Sequence, residues 1–109
     1  MNPIVVQRWS DISDQPLTEA AIRARHPRPR YRVSARRYPP GARFAGSSRA
    51  GTSYVVSGAV RFDVGAEVTL RAGELAELPE GRFELEVLGE QPLVLVQCWE
   101  LPGDLDGGP

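Results

Sequence analysis

Few side chains in this 109-residue chain are equipped for covalent or metal chemistry, because it has one histidine, His26, and one cysteine, Cys98. A Ser-His-acid arrangement would have to recruit His26, which stands beside Pro27 in a stretch typical of a surface loop. Cys98 stands within an apolar run, where cysteine usually serves as a small core residue. The sequence therefore argues against nucleophilic catalysis by Ser47 or Ser48.

The carboxylates Glu84 and Glu86 occupy alternate positions of a short apolar run. Because Phe83, Leu85 and Val87 take the positions between and beside them, the alternation predicts that both glutamates face solvent. With the opposite register, an inward Glu84 would lie in a desolvated pocket and act as a general acid or base. A carboxylate-only site for a hard cation, formed by the two glutamates, is a further alternative.

The elements that would position these residues are strands. Between Gly41 and Gly89 the glycines recur every five to eight residues. Many short strands with regular turn signals are typical of a β-sandwich or barrel, and the spacing leaves no room for crossover helices. The predicted strands cover residues 31–38, 53–56, 59–64, 68–70, 82–88 and 93–99, with a β-prone run at 4–6.

One short helix is expected before these strands. Thr18 is a good N-cap, Glu19 places an acid in the first turn, and arginines follow in the last turn. His26 precedes a proline, which disfavours a helical backbone, so the helix should end there.

Composition bounds the class of protein. A hydrophobic fraction of 41% with 25% charged residues is ordinary for a globular domain. We expect one domain over residues 1–102 and a disordered tail at 103–109, where little can be buried. No apolar run is long enough for a membrane span, no secretory signal is evident, and a single cysteine fits a reducing compartment, so the expected location is the cytoplasm.

Charge is divided between the two halves of the chain. Residues 1–49 carry ten arginines and three acids, a balance of 10 − 3 = +7, whereas residues 50–109 carry three arginines and eleven acids, a balance of 3 − 11 = −8. An arginine-rich half could bind nucleic acid or an acidic partner. We expect instead that early and late strands lie side by side and cancel each other's charge, which makes nucleic acid the less expected partner.

The spacing Gly73, Pro79, Gly81 and Glu84 resembles the second conserved box of the cupin family. In that box a glycine, a Pro-x-Gly turn and a metal-binding histidine recur at these intervals. Glu84 stands where the family has the histidine, and Leu88 stands where it has an asparagine.

The first cupin box is also recognisable, with its chemistry changed. Gly41 is followed after five residues by Ser47 and Arg49 at the two histidine positions. The strand end at residues 54–58, Tyr-Val-Val-Ser-Gly, matches the family, and Ser53 is the nearest counterpart of its acid. The resemblance covers roughly residues 31–101.

The resemblance implies an all-β jelly-roll barrel, with the short helix before it. Cupin metal sites use three imidazoles and a carboxylate, and one histidine cannot supply them, so no metal and no other cofactor is expected. The family also implies a homodimer, in which residues 4–6 add to the partner's sheet.

Three functions remain open at this point. The first is a metal-free binding or interaction module for a small organic or anionic ligand. Its candidate binding residues are Ser47, Arg49, Tyr54, Arg61 and Glu84. The second is a metal-independent isomerase, epimerase or lyase, with Glu84 as general base and Arg49 or Tyr54 stabilising negative charge. The third is arginine-mediated binding of nucleic acid or an acidic partner.

Overall fold

Nine strands and one α-helix account for most of residues 4–101, the part of the chain that the computed structural model describes. The tail predicted at residues 103–109 lies outside these residues. A 3-10 turn, Trp9–Asp11, follows the first strand. The elements are β1 Val6–Arg8, α1 Glu19–Arg25, β2 Tyr31–Tyr38, β3 Arg43–Ser48, β4 Gly51–Ser57, β5 Ala59–Asp63, β6 Glu67–Arg71, β7 Glu74–Leu78, β8 Gly81–Leu88 and β9 Leu93–Glu100.

Helix α1 begins and ends where the sequence predicts. The Thr18 hydroxyl accepts a hydrogen bond from the Ala21 backbone N–H at 3.1 Å and so satisfies one of the free amides of the first turn. Glu19 and Arg23, four residues apart, form a surface ion pair at 2.8 Å. The helix stops at His26, just before Pro27.

The strands form two antiparallel sheets. The first has five strands in the order β1-β7-β4-β9-β2, and the second has four in the order β3-β8-β5-β6. Apart from the consecutive pair β5 and β6, neighbouring strands are not consecutive in sequence, as in a jelly roll. The barrel is not closed, because β2 and β3 are both edge strands and do not pair with each other.

Strand prediction succeeded where the alternation is regular and failed at two places. Strand β2 has the predicted bounds, but β3 and β7 were not predicted. Strand β3 contains Gly46 and two serines, which signal turns, and β7 contains two glutamates in five residues. Val6, expected on a partner's sheet, pairs with Ala76 of the same chain's β7, and the homodimer stays a prediction.

Two hydrophobic cores hold the sheets. The core between them includes the fully buried Val60, Phe62 and Leu70 from the four-stranded sheet and Leu95 from the other. The second core lies on the outer face of the five-stranded sheet, where α1 packs. Its members are Trp9, Ile22, Tyr54, Leu75, Val96 and Cys98.

Within residues 4–101, no helix is long and apolar enough to cross a membrane.

A candidate ligand-binding cleft between the sheets

The two faces of β2 contact different parts of the molecule. Val33 packs against the core under α1, whereas Tyr38 packs against the core between the sheets. Because side chains alternate along a strand, Arg32, Ser34 and Arg36 lie on the same face as Tyr38, toward the space between the sheets.

A polar row crosses the centre of this inner face. Ser34 of β2 lies opposite Gln97 of β9, which lies opposite Ser53 of β4. The Gln97 side-chain amide donates a hydrogen bond to the Ser53 hydroxyl at 3.1 Å. Ser53 is only 2% exposed and is the one polar residue among the buried residues of the described chain. The Gln97 amide is therefore what satisfies a buried hydroxyl on this face.

Aromatic side chains line the other wall. Phe44 of β3 and Phe83 of β8 lie on the inner face of the four-stranded sheet, with ring centroids 5.9 Å apart. The ring of Phe83 also packs against the ring of Phe62 in the core. Phe44 is 44% exposed although it faces inward. The space between the sheets is therefore open on the side of β2 and β3, and we call it the cleft.

The charge of the cleft is positive. Arg32 and Arg36 lie opposite the uncharged Trp99 and Leu95, and both arginines are exposed. No ion pair within residues 4–101 involves either of them. Two guanidinium groups thus flank the row of Ser34 and Gln97, and both are available to an anion.

A groove of about 790 Å³ lies at the end of the sheet, beyond this row. Trp99, Gly51 and Leu78 line it from the inner face, and Thr52 and Glu77 line it from the outer face. On their strands, Trp99, Gly51 and Leu78 lie two positions from Gln97, Ser53 and Ala76, respectively. The groove therefore adjoins the cleft at one end.

His26 also lines this groove, from the outer face of the sheet. Its Nε2 atom is 2.8 Å from the Tyr54 hydroxyl, whereas its Nδ1 atom is buried and has no hydrogen-bond partner within residues 4–101. Burial and the nearby charge of Arg25 lower the pKa of His26. Burial and the nearby Cys98 raise the pKa of Tyr54. Both groups are therefore neutral near pH 7.

Cys98 lies beside Tyr54 under the helix. Burial raises the pKa of its thiol to about 11, so the reactive thiolate is scarce at neutral pH. The residue is 2% exposed and belongs to the second core, the place expected for it from the sequence.

Three of the five predicted binding residues, Ser47, Arg61 and Glu84, lie on the outer face of the four-stranded sheet. Glu84 is exposed there, on the face that the alternation of polarity predicts, and Arg61 lies on the neighbouring strand β5. Both line a shallow groove of about 380 Å³. Glu86, in the same groove, forms ion pairs with Arg61 and, at 3.2 Å, with Arg43.

The other three predicted residues do not line this groove. Ser47 is on the outer face of β3, opposite Arg82. Arg49 is exposed in the turn between β3 and β4. Tyr54 is buried under α1, and its hydroxyl is hydrogen-bonded to His26. The structure thus brings Glu84 and Arg61 together, and it does not bring the five residues into one pocket.

This placement bears on the alternative chemistries. The general-base hypothesis requires Glu84 and Arg49 in one pocket, and Arg49 is not among the residues that line the groove of Glu84. The inner-face residues nearest to the cupin ligand positions are Gly46, Ser48 and Phe83, which are not ligands of a cupin transition metal. The residues present therefore do not fit the family's metal. Within residues 4–101, no three His, Cys, Asp or Glu side chains are placed to hold a metal ion.

Sequence reasoning missed most of the cleft. It singled out Ser53 by family spacing, but not Ser34, Gln97, Arg32 or Arg36. On β2 the apolar Val33 faces α1, so the polar residues that alternate with it face the cleft. The available signal was the helix directly before β2, because a helix in that place can cover the apolar face of the strand.

The architecture can be compared with solved structures. A Cupin 2 conserved barrel domain protein from Salinispora arenicola is similar over 95% of this chain and 81% of that one, with 17% identity and a TM-score of 0.58. The Cupin_2 domain of an XRE family transcriptional regulator from Enterobacter cloacae is similar over 91% and 97%, with 14% identity and a TM-score of 0.58.

The cupin domain of Cnp3 from Schizosaccharomyces pombe is also similar, with 10% identity and a TM-score of 0.62. The match covers 74% of this chain and 59% of that one. No family model and no curated protein matches the sequence. At these identities the likeness defines the fold alone. The chain is a two-sheet jelly roll, and more specifically it has the cupin fold that its two degenerate boxes predict.

Proposed function

We propose that this cupin-fold protein binds a small organic anion in the cleft and does so without a metal. One observation carries the proposal. The guanidinium groups of Arg32 and Arg36, which have no carboxylate partner within residues 4–101, flank a hydroxyl and amide row on the inner face of the barrel.

The chemistry of the lining suggests the class of ligand. A guanidinium recognises a carboxylate or phosphate through paired hydrogen bonds, and Ser34 and Gln97 add neutral donors beside it. Phe44 offers an exposed ring on the opposite wall. A carboxylate with an apolar or aromatic body would bind the polar groups of one wall and contact Phe44 on the other. Small-molecule sites commonly combine apolar surface with a few placed polar groups in this way.

Titration calorimetry with a panel of acids tests the proposal. The panel contains benzoate, phenylacetate, octanoate and inorganic phosphate. We expect at least one organic acid to bind, and Arg36→Ala to weaken that binding about tenfold, which corresponds to about 1.4 kcal/mol. The matched control is Arg82→Ala, which removes an exposed arginine from the outer face of β8 and should leave binding unchanged.

Two results would contradict the proposal. The first is that no acid of the panel binds the wild type, and the second is that Arg36→Ala and Arg82→Ala lose affinity equally. Metal analysis of the purified protein tests the other part, since a stoichiometric transition metal would show that the protein is not metal-free.

A further inference from the structure

The structure carries an excess of positive charge along the edge strand β2 and the segment that leads into it. Between Glu19 and Asp63 the sequence contains ten arginines and no acid. Four of them have a carboxylate partner, and the partners are Glu19 for Arg23, Glu100 for Arg30 and Glu86 for both Arg43 and Arg61. The remaining six arginines have no carboxylate partner within residues 4–101.

The expected cancellation between strands does not occur at β2. Its neighbour β9 carries a single acid, Glu100, which pairs with Arg30 at 2.9 Å. On its other side β2 has no neighbouring strand formed by residues 4–101. Five exposed arginines of this region thus remain without a carboxylate partner in the described chain, although the guanidinium of Arg25 lies over the Trp9 ring, 5.6 Å from its centroid. They are Arg25, Arg28, Arg32, Arg36 and Arg37, and we call them the arginine edge.

The arginine edge extends beyond the cleft. Arg32 and Arg36 face the cleft, but Arg37 lies on the opposite face of β2, and Arg28 precedes the strand. Eight strand residues span about 26 Å at roughly 3.3 Å per residue. A small anion needs one or two guanidinium groups. A row of this length on both sides of a single strand matches a polymer of phosphates.

From this placement we infer that the arginine edge binds the backbone of single-stranded nucleic acid. Arginine is suited to phosphate, because its planar fork donates two hydrogen bonds to one group. A flexible single strand can follow arginines that project to both faces of β2. A rigid duplex would be read by a helix or a two-stranded ribbon in its groove, and the edge offers one strand.

Fluorescence anisotropy with a labelled 20-nucleotide oligothymidylate tests the inference. The test variant is the double substitution Arg28→Ala with Arg37→Ala, which leaves the cleft intact. The matched control is Arg71→Ala with Arg82→Ala, two exposed arginines of the four-stranded sheet. We expect the test variant to weaken binding roughly 10- to 30-fold near 0.1 M salt and to reduce the slope of log K against log salt by about 1.4.

The outcomes separate the alternatives. No binding at low salt, or an equal loss in both double variants, would overturn the inference. Competition by a polyglutamate peptide that matches or exceeds unlabelled oligothymidylate would overturn it in favour of an acidic protein partner. Glutamine versions of the same double variants guard against a folding defect, which circular dichroism would reveal.

The same variants keep this inference apart from the proposed function. Arg28→Ala with Arg37→Ala should leave organic-acid binding unchanged, because neither residue lies in the cleft. Loss of oligothymidylate binding with retained acid binding supports the arginine edge as a separate surface. Loss of both together contradicts it.

Discussion

The five-stranded sheet has one face that α1 seals and one face that packs against the other sheet over part of its area and opens into the cleft over the rest, and the same strands form both. On β9, Val96 and Cys98 are 0% and 2% exposed under the helix. Gln97 and Trp99, which alternate with them, face the cleft and remain partly exposed. On β2, Val33 contacts the sealed side, whereas Ser34 lies in the polar row.

The difference separates residues that stabilise the fold from residues that are free for function. The sealed face gains free energy by removing apolar surface from water. The polar row gains little, because an internal hydrogen bond replaces one to water and adds only about 1 kcal/mol. Polar residues at the centre of a sheet therefore favour a binding role over a structural one.

The largest expected effect is on the sealed face. Ile22 of α1 is fully buried against the sheet. Ile22→Ala removes its side chain from the second core and should lower the free energy of unfolding by about 2–5 kcal/mol. Urea denaturation followed by circular dichroism measures this loss.

The control for this prediction lies on the other face. Arg36→Ala truncates an exposed side chain with no ion-pair partner in the described chain, so its effect should stay within about 0.5 kcal/mol. Equal costs for the two substitutions would show that the faces do not differ as described.

A smaller effect is expected in the polar row. Gln97→Ala removes the donor that reaches the buried Ser53 hydroxyl and should cost about 1–3 kcal/mol. The double substitution Gln97→Leu with Ser53→Ala removes both polar groups and should cost less than Gln97→Ala alone. A denaturation cycle over the single and double variants measures the difference, and simple addition of the single costs would contradict it.

The sequence predicted the fold well because the fold depends on repeated local signals. Thr18 and Pro27 set the limits of α1, and the glycine spacing with two cupin boxes indicated the jelly roll. Strands β3 and β7 escaped prediction, because cross-strand partners override the weak local preference of Gly46 and of two glutamates.

The candidate site was harder to predict, because it depends on which face of each strand is covered. Alternation on β8 predicted that Glu84 faces outward, since that sheet is covered on one side only. The same rule fails on β2, where α1 covers the apolar face and leaves Ser34 and Arg36 inside. Only the three-dimensional arrangement shows where the helix packs.

The smallest expected effect concerns the rim of the sealed face, where His26 meets Tyr54. The rings of Tyr31 and Tyr54 pack against the imidazole, and the charge of Arg25 lies nearby. The Nδ1 atom of His26 is buried and has no hydrogen-bond partner in the described residues, so a proton on Nδ1 would have no acceptor. Burial and Arg25 therefore lower the pKa of His26 in the folded protein below about 6.5, the value for the unfolded chain.

The sign of the pH dependence follows from this difference. Above about pH 6.5 the imidazole is neutral in both states, and its full contribution to stability is present. As the pH falls below that value, the unfolded chain takes up the proton first, and the free energy of unfolding decreases until the folded pKa has been passed. Urea denaturation from pH 8 to pH 5 should show this decrease in the wild type and a flatter profile in His26→Gln. If the free energy of unfolding has the same pH dependence in the wild type and in His26→Gln, the imidazole is protonated as easily in the folded protein as in the unfolded chain. That result would contradict the description of this face as sealed.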